Sequence, residues 1–403
     1  APLGDADAFA EAHVAMRPSA ADQIRRFFDI CHRVHTQAHL LPQQAGLAEL
    51  DAYAATLPLA FAHRRSTVAD VLDAEVPDPV ARSLCGLGSM LLGLPPSRLS
   101  LQTLAQSLYT YVVDGGFMFR GGVQSFIDAL VESIERRGGE VAVGQAVTAI
   151  TVEEDRASGV VLEDGRSVRA RHVVSNADVG TTFGQLLNAA DRPQAIQRKL
   201  RRLTVGSSSV VLHAAVALEA AADSPMVVAS GTDLERSYAA TAAGDPEAVV
   251  MWLPSLVDPT LAPAGEQVAA VCAFTPAVGG RPWADAAPEW EQRLLATADR
   301  LVPGIAAATT HTEVVTPEDL KALTSDDHGA SFGWELTPLA SGSARPAPRT
   351  PVAGLYLAGK WTQPGGCFLR STVSGVFASQ LVMADAGIDP AAGWQHASLP
   401  SLM

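Results

Sequence analysis

Two spacings of apolar residues divide this chain. In "ADQIRRFFDICHRVH" the residues Ile24, Phe27, Phe28 and Cys31 recur at helical spacing and predict a helix with one buried face. "GGVQSFIDALVESIERRGG" carries a clearer stripe of Phe126, Ile127, Leu130, Val131 and Ile134, stopped by Gly138-Gly139. Pro77, Pro79 and the pair Pro95-Pro96 punctuate the early part, so residues 1–110 read as mostly helical. Strand-like runs follow: "EVAVGQAVTAITVE", "ASGVVLEDGRSVRARHVVSN", "SSVVLHAAVAL", "AVVMWLP" and "QVAAVCAFTP". Within the second, Asp164-Gly165 between alternating segments predicts a hairpin turn. A helix near "EWEQRLLATADRLVP" precedes "HTEVVTPEDLKAL", where Thr316, Pro317 and Asp319 form a helix start. A Pro/Ser-rich loop, "SGSARPAPRTP", leads into a last strand, "GLYLAG", and a last helix from about Ser371 into "MADAG". Strands mixed with helices, without strict alternation, predict an α/β or α+β fold.

Composition narrows the classes. The 403 residues give room for two domains, or for one large domain with another inserted. A net charge of −14 with no basic stripe argues against nucleic acid and against an electrostatic hold on anionic lipid. Membrane contact through apolar surface stays open. Cys31, Cys85, Cys272 and Cys367 are far apart with no CxxC pair, which suits a reducing cytosol. No run approaches the roughly 20 apolar residues that a membrane span needs, and no signal-peptide pattern is present. We therefore expect a cytoplasmic protein, peripheral to a membrane at most. Residue 1 is Ala, so an initiating Met is expected upstream.

"LAGKWTQPGGC", residues 357–367, carries the first chemistry. A strand ending in Gly359 lets backbone approach a flat ligand, and Gly365 and Gly366 leave a bend without side chains. The helix that follows aims its unpaired N–H groups and positive dipole end into the turn. The N1–C2=O edge of a flavin suits that end, although local physics alone favours an ordinary strand-turn-helix crossover.

The segment resembles the C-terminal flavin motif of the phytoene desaturase, carotenoid isomerase and retinol saturase family, within the amine-oxidase-like flavoproteins. The matching residues are Ala358-Gly359, Pro364-Gly365-Gly366 and Ser374-Gly375. "DGGFMFRGGVQSFIDALVESIERRGGEVAV", continuing to "HVVSNADV", is similar to the family's middle block, and "LPSLVDPTLAPAGEQ" and "VVTPEDL" to later landmarks. The likeness covers roughly residues 80–390. It implies an FAD-dependent oxidoreductase moving hydride between flavin and an apolar, isoprenoid-like substrate. Gly121, Gly122, Gly359, Lys360, Pro364, Gly365, Gly366, Ser374 and Gly375 would then face the cofactor, and the Val147 backbone its adenine. The implied organisation is a helical substrate or cap region at 1–110, a flavin-binding middle segment at 111–200, a mixed-sheet substrate domain at 201–325 and a C-terminal flavin-binding segment at 326–403. No catalytic residue and no metal ligand are singled out.

Departures from the family pattern bear on this. Cys367 stands where the family keeps a glycine, Phe119 where it often has Pro, and Lys360 where an acid or His is usual. Lys360 either pairs with flavin N1 or a phosphate, or faces solvent. Cys367 reads as a buried structural thiol before a covalent flavin link. Arg120 and Arg370 flank the two turns as phosphate or pyrimidine contacts or as surface arginines. The dinucleotide fingerprint that the family carries at its N-terminus has no counterpart, since "CGLGSMLLG" has Leu91 at the third glycine and reads as a helical bend. The ADP half is thus expected to come from a separate fragment or chain, to have been lost by cleavage or never ordered, or to be dispensed with. The rival reading is a flavin-free relative acting as a hydrophobic-ligand carrier, scaffold or non-redox isomerase. His32, His35 and His39 share a helix face but read as solvated or capping residues, and His213 as a satisfied histidine facing core or pocket rather than a base. Two expectations follow: the glycine turns at 121–122 and 359–375 converge, and Gly365→Val or Gly366→Val blocks flavin while leaving the fold near intact.

Overall fold

Helices dominate the N-terminal part because its capping residues and apolar stripes agree. The computed structural model describes residues 4–39, 54–217, 224–277, 282–326 and 328–390. Helix α1 (Ala6–Met16) starts on Asp5, whose carboxylate accepts from the Asp7 and Ala8 amides. Helix α2 (Ala21–His39) buries Ile24, Phe27, Phe28 and Cys31 as its spacing predicts. Helix α3 (Val68–Glu75) opens with a Thr67/Asp70 capping box, and α4 (Pro79–Gly86) with Asp78 and Pro79. "CGLGSMLLG" is indeed a bend, a 3-10 stretch from Leu87 to Leu92 ended by Gly93 at φ 66°. Helix α5 (Leu101–Tyr109) completes this core, and the Tyr109 hydroxyl donates to Phe28 O at 2.7 Å. His32 stacks on the Tyr109 ring at 4.9 Å and His35 packs beside it at 5.7 Å. Among the described residues no cluster of His, Cys, Asp and Glu could hold a metal.

Helix α6 (Val123–Glu135) forms as predicted but does not bury its stripe: none of its residues is buried. Ile127, Leu130 and Ile134 are 41%, 46% and 46% exposed. Beyond it, β1 (Val147–Glu153), β2 (Arg156–Leu162) and β3 (Ser167–Arg169) make an antiparallel meander, turning from β2 to β3 at Asp164-Gly165. The run 140–143, expected to be strand, lies outside every described ladder. Strand β4 (Val173–Ser175) leads to the larger sheet, built from β5 (Ser207–Val216), β6 (Met226–Ala229), β7 (Val249–Trp252), β8 (Gln267–Pro276) and β9 (Thr309–Val315). Its order is β6-β7-β8-β5-β9, antiparallel throughout. Val210, Leu212, Ala214 and Val216 point to one face of β5 and meet Trp290, Leu294 and Ala298 of α7 (Trp283–Leu301) in a second core. His213, expected to face core or pocket, is exposed instead, because the strand alternation puts it on the face of β5 opposite that core.

Helix α8 (Pro317–Thr324) starts at Thr316 with the predicted capping box to Asp319. Strand β10 (Leu355–Leu357) pairs in parallel with β4, so Leu355, Tyr356 and Leu357 lie beside Val173, Val174 and Ser175. The last helix, α9 (Phe368–Asp385), begins three residues before the expected Ser371. This is the mixed helix-and-sheet fold that the pattern predicts. Among the described residues no helix is long and apolar enough to cross a membrane.

Candidate functional site

The β10–α9 connection is held by backbone and side chains acting together. Gly359, at φ 94°, donates its amide to Ser374 Oγ at 2.6 Å, and the fully buried Ser374 hydroxyl donates in turn to Ser371 O. A side chain on Gly359 would overlap Asn176 Oδ1. Lys360 Nζ forms an ion pair with buried Asp326 at 2.8 Å and donates to Ala330 O at 2.7 Å. Two of its three donors are therefore committed within the protein, a disposition that neither sequence alternative for Lys360 described. The peptide before Pro364 is cis.

Arg345 organises this turn, and nothing in the sequence marked it out. It sits in the Pro/Ser-rich run that reads as plain loop, yet it is 1% exposed. Its Nε donates to Ala340 O at 3.0 Å, Nη1 to Lys360 O at 2.8 Å and Nη2 to Trp334 O at 3.0 Å, so one guanidinium joins three segments. Burial pushes its ionisation down to about 9, helped by the like charge of Arg370 and opposed by Cys367; the group is still a cation at neutral pH. Arg370 donates to Gln106 Oε1 at 2.8 Å, which docks α5 against the start of α9.

Arg345 also corrects the reading of Gly365. This glycine sits at φ 56°, and a Cβ on it would overlap Arg345 Nη1 and Thr362 O and lie 2.8 Å from Lys360 O. The space beside Gly365 is filled by protein, so its glycine is explained by packing. The expectation that Gly365→Val spares the fold fails for this reason. Gly366, at φ 101°, has Leu336 Cδ2 3.3 Å from its would-be Cβ, whereas Gly375 on α9 faces open space.

The other turn has Gly121 at φ 78° and Gly122 at φ 84°, conformations that residues with a Cβ rarely adopt. Gly122 is the N-cap of α6 and supplies no side-chain cap, as Cys367 supplies none to α9. The two helix starts meet. Phe119 stacks on Phe126 at 4.5 Å, and both contact Phe368, the first residue of α9, at 6.0 and 5.8 Å. With Phe119 38% and Phe368 53% exposed, this aromatic group is an open face. Convergence of the two turns was expected from sequence; the aromatic group that joins them was not, though Phe119, Phe126 and Phe368 each stand within a few residues of the glycines. Val147 opens β1 opposite Leu162, on the meander. Cys367 is half-buried, while burial raises the thiols of Cys85 and Cys272 to about 12.

A family model described as flavin containing amine oxidoreductase matches residues 13–383. A lycopene-forming phytoene desaturase of Paracoccus sp. is 25% identical over 398 residues, covering 95% of this chain and 78% of that protein. A neurosporene-forming phytoene desaturase of Rhodobacter capsulatus is 30% identical over 278 residues, 65% of this chain and 52% of its own length. The chain thus spans about half the length of this second relative. A redesigned putrescine oxidase superposes with a TM-score of 0.62 at 15% identity, over 91% of this chain and 76% of that one, a likeness of fold. The chain belongs to the flavin-containing amine oxidoreductase family.

Proposed function

We propose that this member of the flavin-containing amine oxidoreductases is an FAD-dependent oxidoreductase that moves hydride between its flavin and an apolar, isoprenoid-like substrate. The meeting of two uncapped helix starts at an open aromatic face carries the reading. Free first-turn amides and two positive dipole ends suit the electron-rich edge of a flat ring. A bound flavin supplies the hydride chemistry. The chain's own residues position and shield it. Gly121, Gly122 and the first turn of α6 would hold one side; Pro364, Gly366, Gly375 and the first turn of α9 the other, while Gly359 and Ser374, expected to face the cofactor, are packed against Asn176 and Ser371 and brace the turn from within. Arg345 fixes the Lys360–Gly366 turn, with Lys360 contributing its remaining donor and the Val147 backbone contacting adenine. An apolar C–H substrate needs no strong general base, and the two phytoene desaturases support that substrate class.

The ADP half of the cofactor is assigned in this reading to a further polypeptide segment. The exposed stripe of α6 and the unpaired run 140–143 are the surfaces that would receive it. The packing that explains Gly365 favours the second reading, a flavin-free carrier, because that glycine no longer needs a ligand to account for it. Equilibrium titration of the purified chain with FAD separates the two. Quenched flavin fluorescence that is lost in Phe368→Asp is expected; a chain that takes up neither FAD nor riboflavin refutes the oxidoreductase reading.

A further inference from the structure

Residues 115–144 lie almost wholly on the surface, so what holds the Gly121–Gly122 turn in place has to be found outside that segment. Gly121 donates its amide to Asp258 Oδ2 at 2.7 Å, across 137 positions of sequence. Among the described residues this is the hydrogen bond that ties residues 115–144 to the substrate sheet. The other oxygen of Asp258, Oδ1, accepts from Thr260 N at 3.1 Å and Thr260 Oγ1 at 2.6 Å, capping the 3-10 turn Pro259–Leu261. That loop is anchored to β8: Ser255 Oγ donates to Gln267 Oε1 at 2.6 Å and accepts from Val268 N at 2.9 Å. Leu261 Cδ2 lies 3.6 Å from where a Cβ of Gly122 would be, so the loop also touches the second glycine.

We propose that Asp258 is a positioning residue, whose carboxylate sets the Gly121–Gly122 turn, and with it the start of α6, at the register that faces the start of α9. The substrate sheet and the cofactor-facing turn then move as one piece. The latch stands on the hydrogen bond alone; its consequence for flavin rests on the function proposed above. Ser125 holds the turn only locally, its single hydroxyl proton shared between Arg120 O and Gly122 O at 2.7 Å each, and fixes no relation to the sheet.

Asp258→Asn tests this with little change of shape. The amide keeps one oxygen for Thr260 but presents an NH2 to the Gly121 N–H, so the cap survives and the latch is lost. Trypsin cuts after Arg120, inside the latched segment. The cleavage rate of Asp258→Asn is expected to rise roughly threefold to tenfold, the factor that loss of an ordinary hydrogen bond gives. Thr260→Val, which keeps the Gly121 bond, is expected to cleave at the wild-type rate. Protection of the Gly121 amide against hydrogen exchange in the unaltered chain is a second measurement that needs no variant. An unprotected Gly121 amide, or equal cleavage of Asp258→Asn and wild type, overturns the latch. Flavin affinity and the visible flavin band are then compared: weaker binding and a shifted band in Asp258→Asn but not Thr260→Val support positioning. Loosened cleavage with unchanged flavin binding overturns it. A wild-type chain that binds no flavin sinks the function proposed above, while cleavage and exchange still decide the latch.

Discussion

Replacing Gly365 by Ala tests whether this glycine serves packing or a ligand. Its φ of 56° costs a residue with a Cβ about 1 kcal/mol or slightly more. The new methyl would overlap Arg345 Nη1 and Thr362 O, so the guanidinium must give up its bond to Lys360 O. Loss of a charged hydrogen bond inside the protein costs about 1.5–3 kcal/mol. The sum, roughly 2.5–4 kcal/mol, is a large share of the 5–15 kcal/mol that ordinarily separates folded from unfolded. Gly375→Ala is the control: it lies in α9 with nothing within 4 Å of the new methyl, and Ala in a helix gains about 0.5–1 kcal/mol over Gly. Denaturant unfolding without flavin present measures both. If Gly365→Ala unfolds within about 1 kcal/mol of wild type, the overlap with Arg345 is wrong and a ligand explains the glycine after all.

Three further outcomes are expected, besides the Asp258 and FAD experiments described above. Tyr356 and Arg349, with Arg349 Nη1 and Nη2 at 2.7 and 2.9 Å, donate to Asp385 and staple the end of α9 to β10. The Arg349 bonds first, then Tyr356, hold this carboxyl well below the usual 3.8. Its contribution is therefore complete above pH 3.8 and is lost as pH falls through the lower folded value; Asp385→Asn should flatten the acid side of a stability–pH curve, and an unchanged curve would count against the staple. The double change Ile127→Ser and Leu130→Ser on the open face of α6 should shift unfolding by no more than about 0.5 kcal/mol and reduce binding of an apolar dye. A loss of several kcal/mol there would mean that the stripe is covered. Arg345→Met should strip the Ala340, Lys360 and Trp334 carbonyls of their buried donor and lower stability by about 3 kcal/mol, read from the same denaturant curves, whereas a neutral result would show those carbonyls reach water.

Much of the architecture was legible because periodicity and capping are local. The stripe of α2, the Asp164-Gly165 hairpin, the Thr316 capping box and the strand run of β5 each depend on residues a few positions apart, and each forms as read. The glycine turns and the resemblance they carry were also local signals. Tertiary structure alone decided the rest. It left the stripe of α6 on the surface, since periodicity tells that a face is apolar but not what covers it. It gave α9 an earlier start, moving Phe368 into contact with the 119–126 aromatics. Arg345, Asp326 and Asp258 reach partners 15, 34 and 137 positions away, and at such separations the identity of a polar residue in a loop says nothing about which carbonyl, ammonium or amide it will meet. That pairing is fixed only when the strands and helices have packed and every buried polar group must find a partner.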